Sequence, residues 1–327
     1  MIENNGCLVI SLDFEMMWGC HDWASIDGYG KTNISHVREV IQRLIQLFDT
    51  YDIHATVATV GMLMFNDKNE LLKSLPKNIP SYENTVMSPY KPGFLDSISE
   101  ENEYLFFASD IIDSLKSKPG IEIGTHTFSH YYCWEKGQTL QQFDEDIKNA
   151  VEAANQRCLF LESIVFPKNN VSEDYLTVAA KYGIRTYRGN PKHFYNSPKN
   201  TLLSLWQRAM RLLDIYFPLV KNTYSYDVIE STTGVVNIGA SRFLRPYNHN
   251  LRWFERFKVA RIKKEMRYAA RNHEVYHLWW HPHNFGNNLE ENLKILEDIL
   301  RNYSLCSKKY GMMSMSMSEL ADYVSTK

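Results

Sequence analysis

Apolar runs of strand length break off into acids or histidines at three widely separated places in this chain. Residues 7–12 run into Asp13-Phe14-Glu15, residues 121–125 into His126-Thr127-Phe128-Ser129-His130, and residues 276–280 into His281-Pro282-His283. A run that is apolar almost throughout suits a strand covered on both faces, as in a parallel sheet wrapped by helices. The carboxyl ends of such strands form the rim on which α/β barrels build their sites. Two carboxylates, a His-x-x-x-His pair and a late histidine on one rim are the parts of a mononuclear metal hydrolase.

The rest of the chain keeps this rhythm. Further strand-like runs lie at 55–60, 163–167, 184–187, 235–239 and 312–315. Between the first two strands Ile34, Val37, Ile41, Leu44, Ile45 and Phe48 recur at helical spacing on one face, and similar patterns cover 143–154, 175–182 and 289–303. Gly183 stands just past the third of these helices, where a left-handed cap is expected. Strand–helix alternation with seven or eight strands predicts an α/β fold, a parallel barrel, as one domain over 1–327. Two stretches interrupt it as insertions. One is 66–108, with Pro76, Pro80, Pro89, Pro92 and Gly93; the other is the mostly helical 195–271.

Composition narrows the function. The 327 residues are 44% hydrophobic and 13% aromatic, and the net charge of −2 lacks the basic excess of a nucleic-acid-binding protein. Five cysteines, an odd number without CxxC spacing, read as reduced thiols rather than a disulfide framework. The first dozen residues lack the basic and long apolar regions of a signal peptide, and no run approaches the roughly 18 apolar residues of a spanning helix. These features point to a cytoplasmic protein.

Asp13 and Glu15, two apart at a strand end, project to one side while Phe14 points away. One can ligate an ion while the other takes a proton from the attacking water. His126 and His130, four apart, would share a face in a helical turn and ligate one ion, with Thr125 and Ser129 beside them to fix the ring tautomers. A histidine in the 279–285 stretch could protonate a leaving amine, since histidines titrate near neutrality. The neighbouring tryptophans could wall a sugar-sized pocket.

With these motifs the chain resembles the polysaccharide deacetylase (NodB-homology) family, from Leu8 to about Phe285. The resemblance implies an irregular (β/α) barrel and a metal-dependent hydrolase of N-acetyl or O-acetyl groups on sugars. It implies Asp13 as the catalytic base, Glu15 in place of the usual Asp as a metal ligand, His126 and His130 as the metal histidines, and His281 as the general acid. The family's third motif, Arg-Pro-Pro-Tyr, is here Phe166-Pro167-Lys168-Asn169-Asn170, so the Arg that orients the base is missing. Lys168, Arg188 and Arg245 are the candidates to supply its charge, Arg188 first because it directly follows the run 184–187. Glu15 is one methylene longer than the usual ligand, which leaves an exchange of roles with Asp13 open. These departures suggest a divergent, intracellular branch.

The expected function is a cytoplasmic N-deacetylase of a nucleotide-linked or polyprenyl-linked sugar, used in surface polysaccharide synthesis. Zn²⁺ is the expected divalent ion, Asp13 and His281 the catalytic groups, and Arg188, Asn169, Arg245, Trp280 and His283 the substrate contacts. Residues 251–271 carry eight basic residues against two acidic ones, and 202–220 are rich in Leu, Trp, Tyr and Phe with Arg208 and Arg211. The stretch 202–271 therefore suggests either a solvated basic face or peripheral contact with an anionic inner leaflet. Two other classes fit the same residues. One is an allantoinase-like amidohydrolase of a small non-sugar amide; the other is a non-catalytic sugar-binding protein, which the missing Arg would suit.

Overall fold

A computed structural model describes residues 5–190 and 221–326. Among them ten strands join in one curled sheet in the order β6-β7-β5-β4-β3-β2-β1-β9-β8, with β10 also beside β1. The longer strands are β1 (Cys7–Phe14), β2 (Ala55–Thr59), β3 (Ile121–Thr125) and β9 (Val275–Trp280). The shorter ones are β4 (Ser163–Ile164), β5 (Thr186–Tyr187), β6 (Ser231–Thr232), β7 (Val235–Asn237), β8 (Arg242–Phe243) and β10 (Met313–Met315). Their ladders are parallel except for β6 with β7. β1 is the hub: β9 pairs along one edge, while β10 takes the lower part of the other edge and β2 the upper part. The architecture is the expected irregular (β/α) barrel, with the strand run at 163–167 cut short. Pro167 lacks a ladder donor and opens a 3-10 turn instead.

The two faces of β1 explain where a site can form. Leu8, Ile10, Leu12 and Phe14 join the large apolar cluster beneath the helices. Cys7 and Val9 point the other way, into a small inner cluster with Ala58, Val165, Ile238, Val275, Met317 and Leu320. The inner column of β1 then turns polar, through Ser11 to Asp13, both buried. The inside of the curl is thus apolar at its base and polar at the carboxyl ends of the strands.

Eight helices cover the described chain: α1 (Val37–Tyr51), α2 (Lys68–Lys73), α3 (Ser109–Lys116), α4 (Leu140–Gln156), α5 (Glu173–Lys181), α6 (Arg252–Arg271), α7 (Leu289–Tyr310) and α8 (Met317–Ser325). α1 buries Val37, Val40, Ile41, Leu44, Ile45 and Phe48, the stripe its spacing predicts. α4 starts from a capping box in which Thr139 and Gln142 satisfy each other's backbone donors. The 66–108 stretch is mostly irregular and is pinned by Trp18, whose indole donates to the Phe106 carbonyl at 2.7 Å. The 195–220 part of the second expected insertion, with Arg208 and Arg211, lies outside the described residues.

The basic residues of α6 do not form a simple solvated face. Lys258 and Arg261 are buried and pair with Glu255 and Glu265, and Lys263 reaches Asp298 at 2.5 Å. Among the described residues no helix is long and apolar enough to cross a membrane. Cys7, Cys20, Cys133, Cys158 and Cys306 are all free.

Candidate metal and catalytic site

Asp13 occupies the upper end of β1's inner column, and Glu15 follows as the chain enters a 3-10 turn, Met16–Gly19. That turn wraps the Glu15 side chain so closely that a Cβ on Gly19 would lie 2.1 Å from Glu15 Cδ. Only glycine leaves room for this carboxylate. Glu15 Oε2 lies 3.2 Å from His126 Nε2 and 3.1 Å from His130 Nε2. All three residues are buried.

The His-x-x-x-His pair is not in a helical turn. Residues 126–130 form an irregular loop in which Thr127 and His130 adopt left-handed backbone, with φ of 66° and 58°. Non-glycine residues hold that conformation only where the surroundings impose it. Here the imposing group is Asp146 of α4, which accepts the Phe128 and Ser129 amides at 2.8 and 3.1 Å and the Ser129 hydroxyl. Burial pushes the Asp146 carboxyl up to about 7. Ser129 is therefore tied to Asp146, and buried Thr125 Oγ1 has no partner among the described residues. Neither sets a ring tautomer. The Val165 carbonyl does so instead, taking the Nδ1 proton of His126 at 2.7 Å and leaving Nε2 free to ligate.

The donor set fits a divalent ion. Two ligands at about 2.0–2.1 Å in a tetrahedral zinc site stand about 3.3 Å apart, close to the 3.1 and 3.2 Å found here. Burial lowers His130 to about 4, against the opposing pull of Glu15. Burial pushes the Glu15 carboxyl up, but His281, His130 and His126 more than offset it and hold it well below the usual carboxylate range. An ionised carboxylate thus faces a neutral imidazole in a buried pocket, an arrangement that a cation stabilises.

Asp13 has a separate partner. Arg188, immediately after β5 and fully buried, donates to both its oxygens, Nη1 to Oδ1 at 2.6 Å and Nη2 to Oδ2 at 2.7 Å. The same guanidinium donates to Ser11 Oγ at 3.1 Å and to Asn169 Oδ1 at 3.1 and 2.9 Å, and it lies over the Trp279 ring at 4.0 Å. Burial acts against ionisation of Asp13, but Arg188, with help from His281 and His126, holds its pKa below the ordinary value. Phe166, at the third-motif position, is buried and stacks on Phe143. Lys168 turns away, over the Tyr132 ring at 3.9 Å.

His281 closes the arrangement. Its Nε2 lies 3.6 Å from both Asp13 Oδ2 and Glu15 Oε1, and at 23% its side chain is more exposed than either acid or the two loop histidines. Other expected contacts fall elsewhere. Trp280 is fully buried, stacked on Phe285 on the helix-covered face; strand alternation instead puts its neighbour Trp279 beside His281, ring centroids 5.7 Å apart. His283 is buried behind Glu15, not on an open wall. Asn169 spends its carbonyl oxygen on Arg188. The Arg245 side chain is exposed beyond β8, and its carbonyl accepts from Lys258.

Sequence reasoning missed His277, Ser11, Gly19 and Asp146. His277 donates from Nδ1 to the Gly239 carbonyl at 3.1 Å and accepts the Ser11 hydroxyl at 2.8 Å on Nε2. It shares β9's inner phase with Trp279 and His281, a period-two signal that was readable.

Solved structures share this fold at low identity. A protein from Mycobacterium smegmatis described as a polysaccharide deacetylase aligns with a TM-score of 0.60 at 11% identity, over 100% of this chain and 92% of its own. The α-amylase AmyC from Thermotoga maritima aligns at 0.55 and 11% identity, over 97% and 74%. PuuE allantoinase aligns at 0.53 and 10% identity, over 100% and 92%. No curated protein matches by sequence. The polysaccharide deacetylase family model matches residues 26–187 of this chain. The matched stretch holds His126 and His130; Asp13, Glu15, Arg188 and His281 join them through the fold.

Proposed function

We propose that this protein is a metal-dependent N-deacetylase of an N-acetylated sugar carried on a nucleotide or polyprenyl phosphate, serving surface polysaccharide synthesis in the cytoplasm. The observation that carries the reading is the convergence of Glu15, His126 and His130 beside an ionised Asp13 and the accessible His281. The family-model match over residues 26–187 supports carbohydrate deacetylation in general.

Glu15, His126 and His130 would hold the ion, and Zn²⁺ suits two imidazoles and a carboxylate. When bound, such an ion supplies a Lewis acid for the acetyl carbonyl and acidifies the attacking water. Asp13 takes the proton of that water, and Arg188 keeps Asp13 ionised and fixed in orientation. His281 delivers a proton to the departing amine nitrogen. Trp279 offers its ring beside His281 as an apolar surface for the sugar.

The test is metal analysis of purified protein combined with acetate release from a panel of N-acetylated nucleotide sugars, with allantoin and simple amides as a second arm. Metal-dependent acetate release from one of the sugars is expected. Turnover confined to the amide arm would reject the sugar assignment. Binding of sugars without turnover would reject the enzyme.

A further inference from the structure

The two oxygens of Glu15 face different groups. Oε2 lies against His126 and His130, whereas Oε1 lies 3.6 Å from His281 Nε2 and 3.8 Å from His283 Nε2. One ligand atom each from Glu15, Cys20 and His283 falls within 4.8 Å of the others. From these positions we infer a second cation site formed by Glu15, the Cys20 sulfur and His283, with the Glu15 carboxylate bridging it to the first. It goes beyond the deacetylase reading and shares only Glu15 with it.

The second set sits on turns that are held in place. Cys20 follows the same 3-10 turn that wraps Glu15, its amide donating to the Met17 carbonyl at 3.1 Å. His283 lies in the turn Pro282–Phe285, whose backbone is fixed by Asn33 donating to the His283 carbonyl at 3.2 Å. Gly286 lets that turn approach, since a Cβ there would fall 2.1 Å from the Asn33 carbonyl oxygen. Tyr29 packs its ring edge against His283 at 5.7 Å and donates to Asn284 at 3.0 Å. Glu15, Cys20 and His283 are all buried, so a cation there would be shielded from water.

The chemistry selects the occupant. Thiolate, imidazole and carboxylate together suit Zn²⁺ or Co²⁺, not Mg²⁺ or Ca²⁺, which take oxygen ligands. A buried thiol next to a carboxylate stays protonated unless a cation arrives, and a coordinating divalent ion removes its proton. The glutamate is also apt, because its extra methylene carries the carboxylate out between two ligand sets. Paired metal sites commonly stand about 3.5–4 Å apart, within the span of one bridging carboxylate.

Full-length protein reconstituted with Co²⁺ tests this directly through metal count and the thiolate-to-cobalt charge-transfer band in the near ultraviolet. About two equivalents and a charge-transfer band are expected for the unaltered chain. Cys20→Ser should lose the band and about one equivalent, and His283→Gln should lose the same equivalent in a second background. The His126→Ala/His130→Ala double variant should keep the band. A single equivalent without a band, lost in that double variant, overturns the second site while leaving the deacetylase reading standing. A band and two equivalents in a protein inactive on every acetylated sugar support the site and count against the deacetylase reading alone.

Discussion

Arg188 grips both oxygens of Asp13 at 2.6 and 2.7 Å with no exposure to solvent. A lysine could supply the charge there but not the two-pronged geometry or the flat face against Trp279. Arg188→Lys should therefore fold and still lower acetate release, while Arg188→Met should lose about 3–5 kcal/mol of stability because it strands a buried carboxylate. Thermal melts and initial rates separate the two, and a Lys variant of unaltered rate would remove Arg188 from the machinery. Asp13 and Glu15 should also part company. Asp13→Asn should cut the rate by about 10²–10⁴-fold with metal retained, whereas Glu15→Gln should weaken metal binding. Exchanged phenotypes would exchange the roles.

The loop at 126–130 depends on Asp146 of α4, sixteen or more residues downstream. With Thr127 and His130 in left-handed conformations, each costing about 1–3 kcal/mol, the loop needs the acceptors of Asp146 to stay closed. Asp146→Ala should therefore loosen metal binding about 10–100-fold, the usual effect of losing a group that orients ligands. Competition against a metal-binding dye measures this; an unchanged affinity would show that the loop holds itself. The same loop marks the limit of what the sequence could say. A four-residue histidine spacing has the period of a helix, and tertiary contacts, those of Asp146 and of the Gly61 and Met62 amides among them, make it a turn of another kind. The β1 alternation needed no such contact, so Asp13 and Glu15 could be placed on one side from spacing alone. Trp280 was misplaced although β9 alternates as cleanly, because its pairing with His281 is out of phase by one residue. The two-residue strands β6 and β8 are shorter than any repeat that could announce them, whereas β4 and β5 fall inside the longer strand-like runs at 163–167 and 184–187.

At the scale of the molecule, the curled sheet keeps several ionisable groups inside, and their charge states couple its stability to pH. His277 is the clearest case, since it lies away from the proposed metal ligands, between Ser11 and the Gly239 carbonyl. Burial, reinforced by the nearby Arg188 charge, lowers it to about 3, against about 6.5 in an unfolded chain. Below about pH 6.5 the unfolded chain binds a proton that the folded one refuses, so the linked stability is full above that pH. It is lost as the pH falls toward 3, at about 1.4 kcal/mol per pH unit. Burial acts in the same sense on His283, lowered to about 3, and on His130, lowered to about 4. Asp146 opposes them: raised to about 7, it keeps in the folded state a proton that the unfolded chain releases above about pH 4, so its contribution falls as pH rises. Three histidines against one carboxyl leave a net rise in stability from about pH 4.5 to 6.5. Metal must be removed first, because ligand protonation would add its own acid sensitivity. Melting temperatures of the chelator-treated protein should climb across that interval, and His277→Gln should flatten the climb whatever its effect at neutral pH. An unchanged slope in the variant would mean that His277 carries a proton in the folded state, and that the Ser11–Gly239 bonding assigned to its ring is wrong.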